Sequence, residues 1–252
     1  MTFDITFFAV AVPAVILTGI SKGGFAGMGS MAVPILSLIM LPTMATALML
    51  PILCLMDVIA LWTYWGKWHA LNMRILVVAG VIGIAIGTIT FRYLHPEAIR
   101  IMIGVIAVVF ALRHWLRSSA ATREPTQPSI AKGGFWGTIA GFTSFVSHAG
   151  APPVAIYLLP QRLDKTVYQA TTVTLFLAVN YAKIGPYYFL DLFTRESLLA
   201  TASLLPVAVV GIFLGVWLHH RVPEKWFFRI AYAALFLIGT KLLIDGTTAL
   251  LA

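Results

Sequence analysis

Charge is scarce in this sequence. Only 10% of the 252 residues are charged, where a soluble domain carries roughly 25%. That is too little to coat a water-facing surface. With 60% hydrophobic residues and a mean hydropathy of +0.93, the chain reads as a polytopic membrane protein. Cysteine is nearly absent. Cys54 stands alone inside an apolar run, which excludes an intrachain disulfide and a Cys-based metal cluster. No histidine pair has zinc spacing, and His219-His220 lie among basic residues. The Gly pairs follow no strand and precede no Lys-Ser/Thr, so they form no nucleotide fingerprint. No metal or organic cofactor is expected. The net charge of +8 is spread over short gaps between apolar runs, so the expected surroundings are a lipid bilayer and not nucleic acid. The first residues lack a basic n-region and a clear cleavage site, and read as a retained first helix.

What is present is a series of apolar segments, at about 3–20, 29–41, 43–62, 73–91, 98–117, 131–147, 152–160, 166–186, 197–219 and 226–250. The expected fold is all-α: a transmembrane helical bundle forming one membrane domain. Two segments, 29–41 and 152–160, are too short to span, and each follows a Gly-rich break. Short, interrupted segments at matching places in two halves point to a transporter site. The halves do match. Gly83–Gly87 (GIAIG) parallels Gly211–Gly215 (GIFLG), and each precedes a Pro-Glu pair, Pro96-Glu97 and Pro223-Glu224. Ala47, Asp57 and Tyr64 fall opposite Ala170, Asn180 and Tyr187 at a constant offset. The chain is therefore expected to hold a first repeat over 1–117, a linker over 118–129 and a second repeat over 130–252.

Charge suggests the topology. If each short segment is one leg of a hairpin, eleven Lys and Arg residues, including Lys67, Arg113, Lys132 and Arg162, share one side with no basic residue but Arg92, Arg100 and Arg195 opposite. If each short segment is fused to its predecessor, the same fourteen residues divide evenly. The positive-inside rule favours the hairpins. Both termini are then outside. Five legs per repeat make the repeats inverted, whether the hairpins are re-entrant or fully crossing.

The stretch Ser144–Pro160 (SFVSHAGAPPVAIYLLP) is the most informative. Helix is expected to stop near His148 and restart with Pro152 or Pro153 in its first turn. A plain proline kink is the simpler alternative. In inverted repeats the two tips meet near the midplane. Two helix N-termini, from about Gly29-Ser30-Met31 and Gly150-Ala151-Pro152, then aim at one point and favour an anion. Glycine at the tips permits close approach and positive φ.

These residues resemble a known family. HAGAPPVAIYLLP, preceded by GFTSFVS and followed by Lys165 and Ala170-Thr171-Thr172, is similar to the second-half signature of the sulfite exporter TauE/SafE family, also called the toluene-sulfonate uptake permease family. GISKGGFAGMGSMAVPILSL resembles its Gly-rich first hairpin. The family usually has a second Gly after His-x-Gly, where this chain has Ala151. The resemblance implies a bacterial inner-membrane carrier, and not an enzyme, for a small sulfur-containing anion such as sulfite or an organosulfonate, often an exporter. Uptake permease and passive channel stay open beside it.

Several residues are candidates for the work. His148 can donate to an oxyanion and carry a proton; its alternative is a bond to a nearby carbonyl. Ser144 and Ser147 offer hydroxyls, or bond back to their own helix. Asn180, Lys183 and Tyr187 share one helical face, and Lys183 is either a site cation or a snorkelling end residue. Gly150, Gly29 and Ser30 belong to the tips. Asp57, the carboxylate well inside a long apolar run, pairs with Lys183 or His148, shuttles a proton, or is structural. Lys22 lies near the first tip or on the surface. Proton coupling through His148 or Asp57 and assembly as a homodimer are left open. An intramembrane enzyme using Ser147, His148 and Asp57 is disfavoured, because adjacent helical side chains point about 100° apart.

Overall fold

The computed structural model describes residues 4–23, 28–116, 125–219 and 224–251. Among them are ten α-helices: α1 (Ile5–Gly23), α2 (Ala32–Leu36), α3 (Pro42–Tyr64), α4 (Ala70–Tyr93), α5 (Pro96–Leu116), α6 (Ile130–Ser147), α7 (Ala151–Leu158), α8 (Lys165–Phe189), α9 (Arg195–His219) and α10 (Glu224–Leu251). No strand occurs among the described residues. The all-α fold expected from the apolar runs is the fold observed. Six helices, α1, α3, α4, α5, α9 and α10, are long and apolar enough to cross a membrane. Gly24-Phe25, most of the linker, Arg117, Arg123, Arg221 and Pro223 lie outside the described residues.

Local sequence sets the helix ends. Pro42 and Pro96 open α3 and α5, where a missing N–H costs nothing. Ser129 and Asp164 cap α6 and α8, Asp164 accepting from the Thr166 amide at 2.8 Å. The segment 29–41 is less helical than its composition suggests. A 3-10 turn (Met28–Met31) leads into α2, which is only five residues long. Beyond Leu36 the chain turns, and Leu41 is extended because the following Pro42 disfavours the α region.

Helix α3 packs on α8, α5 on α10, α1 on α9 and α4 on α6. Two of these contacts are backbone against backbone. A methyl added to Gly19 would lie 2.5 Å from the carbonyl carbon of Gly211, and one on Gly141 would lie 2.1 Å from the Gly80 carbonyl oxygen. Small residues let membrane helices approach this closely, where lipid supplies no hydrophobic drive for association. The buried core includes polar side chains: Asp57, Asn72, Ser147, Thr171 and Lys183 are all 0% exposed. In contrast α4 turns Val78, Ile82, Ile86 and Ile89 outward, an apolar face suited to lipid.

Gly19→Val and Gly141→Val should each cost about 1–3 kcal/mol through overpacking. Gly134→Ala is the control, since a methyl there meets nothing within 4 Å. Thermal midpoints in detergent should fall for the first two and hold or rise for the third.

Candidate functional site

The second break forms as its residues dictate. Helix α6 ends at Ser147, and His148 adopts the left-handed conformation at φ 54°. Histidine is among the residues enriched there, although the conformation still costs a non-glycine residue roughly 1–2 kcal/mol. The His148 and Ala149 amides turn back to the Ser144 and Thr143 carbonyls at 3.0 and 3.2 Å. The Thr143 hydroxyl donates to the Ala149 carbonyl at 3.0 Å. Gly150 then caps α7, with Pro152 and Pro153 in the first turn. The positive φ expected of a tip glycine thus falls on His148. Gly150 has an ordinary φ of −78° and is required for space: a methyl there would lie 2.7 Å from the Ala140 carbonyl and 2.8 Å from Phe176. Gly29, in the other break, has only ordinary contacts.

The two breaks line one partly open cavity of about 70 Å³. That is room for a few waters, each of which takes ~30 Å³ in the liquid, or for one small anion. Gly29 and Ser30 come from the first break, Ser144, His148 and Ala151 from the second. Lys22 projects from the end of α1, and Asn180 from α8. The first tip is a 3-10 turn before a one-turn helix, so it brings little aligned dipole. The eight-residue α7 carries more.

Two cations approach this cavity with unequal partners. Lys22 forms an ion pair with Asp57, whose second oxygen accepts from the Asn180 amide. Asp57 therefore bonds to Lys22 and Asn180, and not to Lys183 or His148. The Lys22 ammonium also lies 5.6 Å from the Phe176 ring centre. Lys183 is 0% exposed, and its ammonium donates to the Ser144 carbonyl (3.0 Å), the Ser144 hydroxyl (3.1 Å) and His148 Nδ1 (2.7 Å). All three acceptors are neutral. Among the described residues no carboxylate pairs with it. The other ring nitrogen, Nε2, lies 2.9 Å from the Thr46 carbonyl. A carbonyl can only accept, so Nε2 bears the hydrogen and Nδ1 accepts from Lys183. Lys22 is thus offset by Asp57, whereas Lys183 has only neutral partners. A buried charge without a partner is costly, and an anion would offset it.

Other candidates stand behind this wall. Ser147 donates to the Thr143 carbonyl at 3.2 Å, the common back-bond of a membrane helix. Tyr187 donates to the Phe145 carbonyl at 2.6 Å and joins α8 to α6. Thr172 lines the cavity while its hydroxyl returns to the Tyr168 carbonyl. Ser147, His148 and Asp57 form no hydrogen-bonded set, since each bonds elsewhere. Sequence reading overlooked Gln169, Val173 and Phe176, which line the cavity. The signal was available: with Asn180 they recur on one face of α8 at helical spacing. It overlooked the Thr46 carbonyl as partner of His148, for which sequence holds no sign.

Six helices apolar and long enough to span, packed around a cation-bearing cavity, define the class: a multi-pass membrane protein. The particular family follows from comparison with known proteins. Residues 11–242 match the family model for the sulfite exporter TauE/SafE, and the chain belongs to that family. No curated protein and no solved structure matches it.

Removing one partner of a buried ion pair strands the other at a cost of about 3–5 kcal/mol. Asp57→Leu should therefore lower thermal stability sharply. Adding Lys22→Met should restore most of the loss, a coupling that a double-mutant cycle reads directly.

Proposed function

We propose that this chain is a secondary transporter exporting a small sulfur-containing anion, sulfite or a short organosulfonate, across a bacterial inner membrane. The observation that carries the reading is Lys183, a buried ammonium whose partners are all neutral, held directly behind the cavity-lining His148 and Ser144. The anion sits among the His148 ring, the Ser144 and Ser30 hydroxyls, the Lys22 ammonium and the amides of the two tips. Gly150 holds the second tip close, and Asn180, through Asp57, fixes Lys22 in place. Tyr187 and Ser147 support the wall without touching the solute.

The helix pairing supports two inverted repeats, α1–α5 and α6–α10. Exchanging the two sets in order turns the α1–α9 contact into α6–α4 and returns α3–α8 and α5–α10 to themselves. The glycine crossings follow the same exchange, Gly19 on Gly211 and Gly141 beside Gly83. Asp57 and Asn180, matched by sequence, bond to each other, as residues on a two-fold axis do. Transport then proceeds by one repeat moving against the other around the anion. The charge pattern supports an orientation with both termini outside.

Thermal stability scanned over sulfite, sulfate, taurine, isethionate and acetate tests the anion site. A ligand at about a hundred times its Kd adds roughly 2.7 kcal/mol of stability. One sulfur anion should raise the midpoint, and His148→Ala or Lys183→Met should abolish the rise. A shift that survives both variants would place the anion elsewhere.

Proton coupling is the second element. The Lys183–His148 contact holds a proton between two bases beside the cavity. Uptake of the anion into proteoliposomes should follow an imposed pH gradient. Flux indifferent to the gradient in the unaltered protein removes the coupling.

A further inference from the structure

The two central helices, α3 and α8, are matched position by position, yet their surroundings differ. On α8, Gln169, Thr172, Val173, Phe176 and Asn180 all line the cavity, and Gln169 and Phe176 are only half-buried. Their counterparts on α3 are Thr46, Met49, Leu50, Leu53 and Asp57. Of these only Leu53 lines the cavity. Thr46, Met49 and Leu50 are 0%, 1% and 0% exposed. The lining thus follows α8 back from Asn180 to Gln169, about 16 Å of helical rise, while the matching stretch of α3, Thr46–Leu50, is buried.

Two hydrogen bonds close the sealed side. The Thr201 hydroxyl of α9 donates to the Leu48 carbonyl at 2.9 Å. The His148 Nε2–H donates to the Thr46 carbonyl at 2.9 Å and ties the tip of the α6–α7 hairpin to α3. The second bond stands apart, because its donor is also a wall of the cavity. Helix α3 spends the Thr46 carbonyl on a side chain of the other half of the molecule. That donor is held in place by Lys183 on its opposite ring nitrogen and by the left-handed backbone at residue 148.

We propose that His148 is the latch of a gate. Its bond to the Thr46 carbonyl keeps the α3 side of the site shut, and an anion in the cavity opens the latch by competing for the same N–H. The competition has a definite sign: a hydrogen bond to an anion is about twice as strong as one to a neutral carbonyl. Occupancy and opening thus share one proton donor, so the empty site stays closed toward the α3 side. This regulation of the site rests on the anion-transport reading for its purpose, but the latch is tested without any substrate.

The test uses the whole protein in membranes with Cys54→Ala as background, single cysteines at Gln169 or Met49, and a charged, membrane-impermeant maleimide applied to either face. Gln169→Cys should label from one face only, and Met49→Cys from neither. Adding His148→Ala should raise labelling of Met49→Cys several-fold to about tenfold, from the face opposite to the one that labels Gln169→Cys. His148→Gln, whose amide can still donate to Thr46, should keep Met49→Cys protected. If the alanine variant does not accumulate, His148→Phe retains a ring without the donor and should behave as alanine does. Equal protection of Met49→Cys in the donor and non-donor variants overturns the latch, as does ready labelling of Met49→Cys with His148 intact. Loss of the latch in this assay leaves the anion-binding reading standing, and a wrong anion in the stability scan leaves the latch standing.

Discussion

The interior of this protein is arranged around one ammonium group. A charged lysine buried inside a helical bundle costs several kcal/mol, less when its donors are satisfied. Lys183 satisfies all three of its N–H groups, and the groups it uses explain the shape around it. The Ser144 carbonyl, in the last turn of α6, already accepts from the His148 amide and takes the ammonium on its second lone pair. His148 Nδ1 is available because the chain turns left-handed at that residue and brings the ring beside α8. The helix break is therefore the means by which a cation is held in a low-dielectric interior without a carboxylate. Asp57 offsets Lys22 in this way, and among the described residues no acid does so for Lys183.

That contrast between the two lysines divides the labour. Lys22 is the more exposed, with 15% of its side chain reachable, and it is already neutralised. It contributes hydrogen bonding and shape at the cavity. Lys183 is fully buried and contributes field. Between them sits Asn180, where the other half of the molecule has Asp57. Two carboxylates facing each other across the centre would repel each other, and would need a shared proton or a second cation. The Asn–Asp pair is a hydrogen bond without that cost.

Much of this was legible in the sequence, and what escaped it did so for physical reasons. The ten segments, the interruption at His148 and the weight of Lys183 follow from hydropathy, proline chemistry and the cost of burying charge. Those are properties of short windows. The five-residue length of α2 escaped, since apolar residues 37–41 look helical until Pro42 forces Leu41 out of the α region. The pairing of Asp57 with Lys22 escaped because it joins residues 35 positions apart. Composition offers a carboxylate three candidate cations and no way to choose. The role of Thr46 escaped entirely, because its contribution to His148 is a backbone carbonyl, which any residue would present.

The second hairpin is not held evenly along its length. At its base, buried Asn72 of α4 accepts from Tyr157 at 2.8 Å and donates to Gln161 at 2.8 Å. Tyr157 in turn accepts from the Ser129 amide at 3.2 Å, and the Thr126 amide reaches the Pro160 carbonyl at 3.0 Å. These bonds link α4, the start of α6 and the end of α7 in a closed network. Each member satisfies another, so losing one bond leaves a buried polar group unpaired. At the tip the side chain of His148 has two bonds, one to Lys183 and one to Thr46. Both meet groups that have, or can find, other partners, since a carbonyl carries two lone pairs and an ammonium three donors. A break at the base is therefore expensive and a change at the tip is comparatively cheap. The same polar chemistry makes one end of the hairpin an anchor and leaves the other the easier to displace.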